Sequence, residues 1–237
     1  MFKLFSALCM CCSILTASDV LFVGTNAEFK PFTHIENDQI VGFDIDVARE
    51  VCKRLGVEMK LKDMPFDALI PEVVLGQVHF VAAGMSYTPE RAQRVLFSSS
   101  YLSGDPLVIV SLDKPLTLEG LQAKNVVVNE GFVADTFLSG KPGITLVRLQ
   151  VLADGFLAVK HKRADAFVTA KSTFDAFKAT QPSDCFCVTE LQDTEQTCAL
   201  VISKKYPELH AQIEHAIDQM IQDGTIKQLK IKWDLHD

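Results

Sequence analysis

Residues 20–83 alternate between strand and helix patterns, and that alternation restricts the chain to few folds. VLFVGTN (20–26) is an apolar strand running into turn residues. IVGFDIDVAREVCKRLG (40–56) holds a helix. Phe43, Val47, Val51 and Leu55 recur every fourth residue, Asp44 can cap its start, and Gly56 can end it. VEMKLKDM (57–64) alternates as a strand does. DALIPEVVLG (67–76) is a short helix with a proline near its first turn, and VHFVAA (78–83) is a buried strand. Such a series builds a parallel sheet with helices on both faces.

The rhythm stops at PLVIV (106–110), a strand with no helix before it, and restarts at NVVVNEG (125–131). A short helix over 133–140 follows, then strand 144–149, helix 152–163, strand 164–169 and helix 171–180. TCALVIS (197–203) is a second lone strand, and the helical residues 206–233 break near Asp223 and Gly224. The reading is an α/β protein of two lobes, each a mainly parallel sheet flanked by helices. Residues 19–107 and 200–237 form the first lobe and 108–199 the second, with hinge strands near 106–110 and 197–203. Ligands of such sheets bind beyond the carboxyl ends of the strands, here in the cleft between lobes.

A chain of 237 residues is long enough for two small lobes, and 48% hydrophobic with 22% charged residues describes a globular protein. The net charge of −7 disfavours nucleic acid and anionic membrane and is compatible with a cationic ligand. A monomer is expected. MFKLFSALCMCCSILTAS (1–18) reads as a signal peptide, with Thr16, Ala17 and Ser18 supplying a cleavage site before Asp19. The destination is then the periplasm or cell envelope. Cys9, Cys11 and Cys12 raise a lipid anchor, but the residues before them fit a lipobox poorly. Export permits disulfides among Cys52, Cys185, Cys187 and Cys198. Cys185 and Cys187 are poorly placed to bridge each other, so Cys198 with one of them is the favoured pair; three full pairings stay open. No cofactor is expected. The cysteines lack a CxxC pair and nearby histidine, and His210 and His215, five apart on a helix, do not face one another as metal ligands would.

Three loops follow strands at the expected cleft: GTNAEFKPF (24–32), AAGMSYTPER (82–91) and NEGFVAD (129–135). In the second, Thr88 can be a helix N-cap and Pro89 suits the first helical position. Arg91 then lies in a first turn, the wrong sign for the helix dipole. It is a solvated surface charge, or it faces an anion together with the Ser86 hydroxyl and free backbone N–H groups. Phe29 and Phe66 sit in loops or at a helix start, where two rings can sandwich a flat cation, worth ~0.5–2 kcal/mol per face. Glu28 can supply a counter-charge.

GTNAEFKPF, IVGFDIDVAREVCKRLG, FDALIPEVVLGQVHFVAAGMSYTPERAQRVLFSSSY and the RADAFVT strand, in this order, resemble the periplasmic amino-acid-binding proteins of ABC importers, solute-binding protein family 3. The resemblance covers essentially all of 20–233 and is greatest to arginine-binding members. It implies two lobes closing on one amino acid and delivery to a membrane permease. By position, Arg91 would fork the α-carboxylate, helped by Ser86 and the Val133 N–H. The Gly84 carbonyl, next to Met85, would accept from the α-ammonium. Phe29 and Phe66 would flank the side chain, with Asn26 and Glu28 making polar contacts. The chain departs from the pattern at Ala170, where the family places an acid for the ammonium; Glu130 or Asp135 would have to take over, or the ligand class differs. Arginine is the favoured ligand, glutamine or another polar amino acid its rival. A dehydratase on the same scaffold, with Glu28 as a lone general acid, is the alternative from another class.

Overall fold

The computed structural model describes residues 20–194 and 196–235; the signal peptide expected over 1–18, with Cys9, Cys11 and Cys12, lies outside them. The chain opens with β1 (Val20–Thr25). Three short strands follow, β2 (Glu28–Phe29), β3 (Thr33–Glu36) and β4 (Gln39–Val41), then α1 (Phe43–Leu55), β5 (Glu58–Asp63) and α2 (Phe66–Leu75). β6 (Phe80–Val81), the single turn α3 (Pro89–Ala92) and β7 (Leu96–Phe97) complete this run. β8 (Leu102–Asp105) leads into β9 (Leu107–Ser111), β10 (Asn125–Asn129), α4 (Val133–Ser139), β11 (Thr145–Leu149), α5 (Leu152–Lys160), β12 (Ala166–Ala170), α6 (Lys171–Thr180) and β13 (Cys187–Glu190). β14 (Gln196–Cys198) leads back to β15 (Val201–Ile202), α7 (Pro207–Gln222) and α8 (Thr225–Lys232).

Two five-stranded sheets result, ordered β5-β1-β6-β15-β7 and β11-β10-β12-β9-β13. In each, the first three strands are parallel, the fourth is antiparallel to both its neighbours, and the edge strand beyond it runs with the first three again. The two lobes therefore repeat one architecture, and each sheet takes its fourth strand from the segment that has just crossed over. The crossing itself is made by β8 and β14, which pair with each other outside both sheets. Of the two lone strands of the sequence reading, 106–110 falls on β9, one step after β8, while 197–203 takes in the end of β14 and all of β15. Leu107–Ser111 is buried throughout, so it belongs inside a sheet, whereas Ser103 and Gly104 of β8 are exposed. Apolar clusters cover both faces of each sheet: one under α1, α7 and α8 and one under α2 in the first lobe, and two in the second. No helix among the described residues is long and apolar enough to cross a membrane.

Three local expectations change. Residues 24–32 do not form one open loop, because β2, β3 and β4 make a small antiparallel sheet that turns Phe29 inward and Glu28 outward. The cap of α1 is Gly42, not Asp44; Asp44 is the second helical residue and is fully buried. The favoured disulfide does not form. Cys52, Cys185, Cys187 and Cys198 are all free thiols. Cys198 packs into the core of the first lobe, while Cys187 lies on β13 at the edge of the second sheet. Burial pushes the Cys52 thiol up to about 11 and the Cys198 thiol well above its usual range, so both stay protonated and inert.

Candidate functional site

Thr88 caps α3, its Oγ1 accepting from the Arg91 N–H at 3.2 Å, and Pro89 fills the first helical position. This turn sends the Arg91 side chain into the interior, where only 8% of the residue is exposed. Its Nη1 donates to the Ser86 carbonyl at 2.6 Å. Its Nη2 reaches across to the second lobe and donates to the Gly131 carbonyl at 2.8 Å. The guanidinium lies 5.6 Å from the Phe66 ring centre. Burial pulls its pKa down to about 10, with the nearby Glu90 charge opposing, so the group remains cationic at neutral pH. Among the described residues no carboxylate forms an ion pair with it. A buried cation held only by carbonyl dipoles is costly unless an anion arrives.

The surrounding cavity lies between the lobes. It is lined by Phe29, Phe66, Gly84, Ser86 and Arg91 from the first, by Asn129, Phe132, Val133, Thr169 and Ala170 from the second, and by Gln196 of β14. The strand ends of β10 and β12 supply the second-lobe side. Gly84 is fixed by the Asp44 carboxylate, whose Oδ2 accepts from the Gly84 N–H at 2.5 Å and from the Tyr101 hydroxyl at 2.9 Å. Burial raises the Asp44 pKa to about 6, the Gly84 and Tyr101 hydrogen bonds opposing. Gly84 has φ +60, and a Cβ there would lie 2.5 Å from Cε1 of Phe29, so the backbone approaches the ring as only glycine permits.

The structure thus brings together Phe29, Phe66, Gly84, Ser86, Arg91, Val133 and Ala170. It leaves three expected residues outside. The Asn26 Nδ2 donates to the Met64 carbonyl at 3.3 Å, Glu28 faces solvent on the outer side of β2, and Met85 packs in the core beneath α2. Neither candidate replacement for the missing acid lines the cavity. Asp135 is engaged by the Gly131 N–H at 3.1 Å and by Arg148 Nε at 2.9 Å, and Glu130 is not among the lining residues. Both rings are more enclosed than loop residues usually are, at 4% exposure for Phe29 and 8% for Phe66.

Sequence reasoning missed Asn129, Thr169, Gln196 and Phe132. Asn129 and Thr169 close apolar strands at their carboxyl ends, a signal that was present. The Gln196 Oε1 accepts weakly from the Ser86 hydroxyl at 3.4 Å, and its buried Nε2 has no partner. Phe132 occupies the N-cap of α4, a position where Ser, Thr, Asp or Asn is the usual choice. Its ring sits between the other two, 4.0 Å from the Phe66 centre at 32° and 5.3 Å from Phe29 edge-on. With it in place the cavity holds about 10 Å³, barely one water molecule.

Residues 21–236 match the family model described as bacterial extracellular solute-binding proteins, family 3. The chain belongs to that family. It is 30% identical over 218 residues to the arginine-binding extracellular protein ArtP of Bacillus subtilis, covering 90% of this chain and 85% of ArtP. A mutant of ArgBP from T. maritima superposes with a TM-score of 0.83 at 35% identity, over 90% of this chain and 94% of that one. An ancestral arginine-binding protein bound to glutamine gives 0.84 at 31%, over 90% and 97%. An ancestral amino-acid-binding protein titled as a precursor of cyclohexadienyl dehydratase gives 0.80 at 31%, over 90% and 95%. The two-lobe fold read from the strand–helix rhythm is the fold these structures share.

Proposed function

We propose that this solute-binding protein captures one free amino acid, L-arginine before others, outside the cytoplasmic membrane and hands it to the permease of an ABC importer. The observation that carries this is the buried Arg91 guanidinium, cationic and without a carboxylate partner among the described residues, facing a cavity between two lobes. A ligand α-carboxylate can replace the two carbonyls as a bidentate partner and remove the cost of the unpaired charge. Ser86, Asn129, Thr169 and Gln196 offer neutral donors and acceptors around it, and the Phe29 and Phe66 faces suit a planar guanidinium. The arginine-binding proteins among its relatives support the same choice. Export by the 1–18 segment and release as a monomer complete the reading.

A neutral polar amino acid, glutamine first, is the second reading. It is favoured by one observation: the residues lining the cavity include no carboxylate, and Glu28 points away. An uncharged amide side chain needs none. A dehydratase would need a proton donor beside its substrate, and the lining offers hydroxyls and amides but neither carboxyl nor imidazole. Calorimetry of the mature chain against single amino acids separates these readings. Arginine heat, with weaker lysine and ornithine, is the expected result. Glutamine heat without arginine heat selects the second reading, and turnover of prephenate or arogenate selects the enzyme.

A further inference from the structure

The cleft is closed, and the chain itself fills it. The Gly131 carbonyl receives the Arg91 Nη2, where a ligand carboxylate oxygen would go, and the adjoining Phe132 ring lies between Phe29 and Phe66, where a ligand side chain would go. Both groups come from the turn before α4 in the second lobe, and all three partners belong to the first. The turn is built to present them. Gly131 has φ +77, and its N–H is held by Asp135 Oδ2 at 3.1 Å, itself anchored by Arg148 at 2.9 Å. The Phe132 N–H donates to the Asn129 carbonyl at 3.1 Å.

From this geometry we propose that Gly131–Phe132 acts as an internal stand-in for the ligand, holding the empty protein shut, and that Phe132 sets affinity and specificity because any amino acid must displace its ring. The inference rests on the amino-acid reading of the cleft. A carbonyl is a weaker partner for guanidinium than a carboxylate, so the true ligand wins at the Arg91 end. At the other end it must replace an aromatic stack, which favours flat side chains that can take over both ring faces. Apparent affinity is lowered by the fraction of molecules held shut in this way.

The test combines small-angle scattering of the ligand-free mature protein with calorimetry, on wild type, Phe132→Ala and Phe132→Leu. Empty wild type is expected to be as compact as ligand-bound protein, and empty Phe132→Ala to be more extended and to contract on adding ligand. Phe132→Ala should bind about tenfold tighter than wild type and accept a wider set of amino acids. Phe132→Leu, which keeps apolar bulk without the stack, should fall between and guards against a folding defect in the smaller variant. Empty wild type that is already extended overturns the proposal, as does a variant that opens without binding more tightly, or one that binds more weakly. If neither protein binds any amino acid, the proposed function fails, while the scattering comparison still decides whether Phe132 holds the lobes together.

Discussion

The two halves of the cleft are built differently. The first-lobe half is polar, charged and tightly braced. Arg91 is aimed by a capped turn, Gly84 is pinned by Asp44 and Tyr101, and Phe29 packs against Gly84 and Phe32. The second-lobe half contributes no charged side chain to the cavity. Its Asp135 is spent within the lobe on the turn at Gly131, and Asp105, at the end of the crossing strand β8, is spent on the backbone N–H and hydroxyl of Ser172 at 2.9 and 2.6 Å. One half therefore brings a charge to the cavity, and the other half, with Phe132, Val133 and Ala170, brings mainly apolar surface.

The comparison breaks most visibly at Arg91. Arg91→Ala should cost about 2–5 kcal/mol of binding, roughly 30-fold to several thousand-fold in Kd, because a ligand carboxylate would enter a desolvated site with nothing to meet it. Calorimetry reads this directly. An affinity within a few-fold of wild type would move the carboxylate site elsewhere. Gly84→Ala should come next, at roughly 2–4 kcal/mol of folding stability. The new Cβ would sit 2.5 Å from Phe29 Cε1 in a left-handed backbone conformation. A urea titration showing an unchanged midpoint would mean that the first-lobe half is looser than its packing implies.

That bracing also explains what was legible in the sequence. The strand–helix rhythm, the Thr88–Pro89 turn and the choice of Arg91 depend on spacing along the chain, which sequence displays. The inward aim of Arg91 depends on Gly131, forty residues away on the other lobe, and no local pattern displays that. Asp44 was misread for the same reason. Its spacing before an apolar helix fits a cap, but tertiary contact with Gly84 and Tyr101 drew it into the core. Glu28 lost its place because a two-residue strand fixed the alternation that turned Phe29 in and Glu28 out. Phe132 sits in the NEGFVAD loop without any local signal of a role. What it does could only be seen with both lobes in place.

Asp44 offers a way to weigh the bracing without touching the ligand. Its folded-state pKa, raised from 3.8 to about 6, means that the folded protein holds this proton more tightly than the unfolded chain. The associated stability is fully present below the unfolded value and is lost as pH rises through about 6. The loss is at most about 3 kcal/mol for a shift of this size. Asp44→Asn cannot ionise. The stability of wild type minus that of the variant should therefore fall between about pH 4 and pH 7, as read from urea midpoints across that range. A flat difference would mean that the carboxylate is better solvated than its surroundings suggest.

The smallest effect tests the second-lobe half. Ala170 closes β12, is 7% exposed and lines the cavity opposite Arg91's lobe. An acid there would face the ammonium end of an amino acid whose carboxylate is held by Arg91. Ala170→Asp should tighten binding by about tenfold, near 1.4 kcal/mol, because a charge-assisted hydrogen bond forms in a dry site. The gain should be larger for arginine than for glutamine if the side chain shares the new carboxylate, and equal for both if only the ammonium does. Calorimetry with the two ligands on the two proteins gives that coupling. Weaker binding of both would mean that the new carboxylate pairs with Arg91 itself, and the halves of the cleft would then be coupled more closely than their separate construction implies.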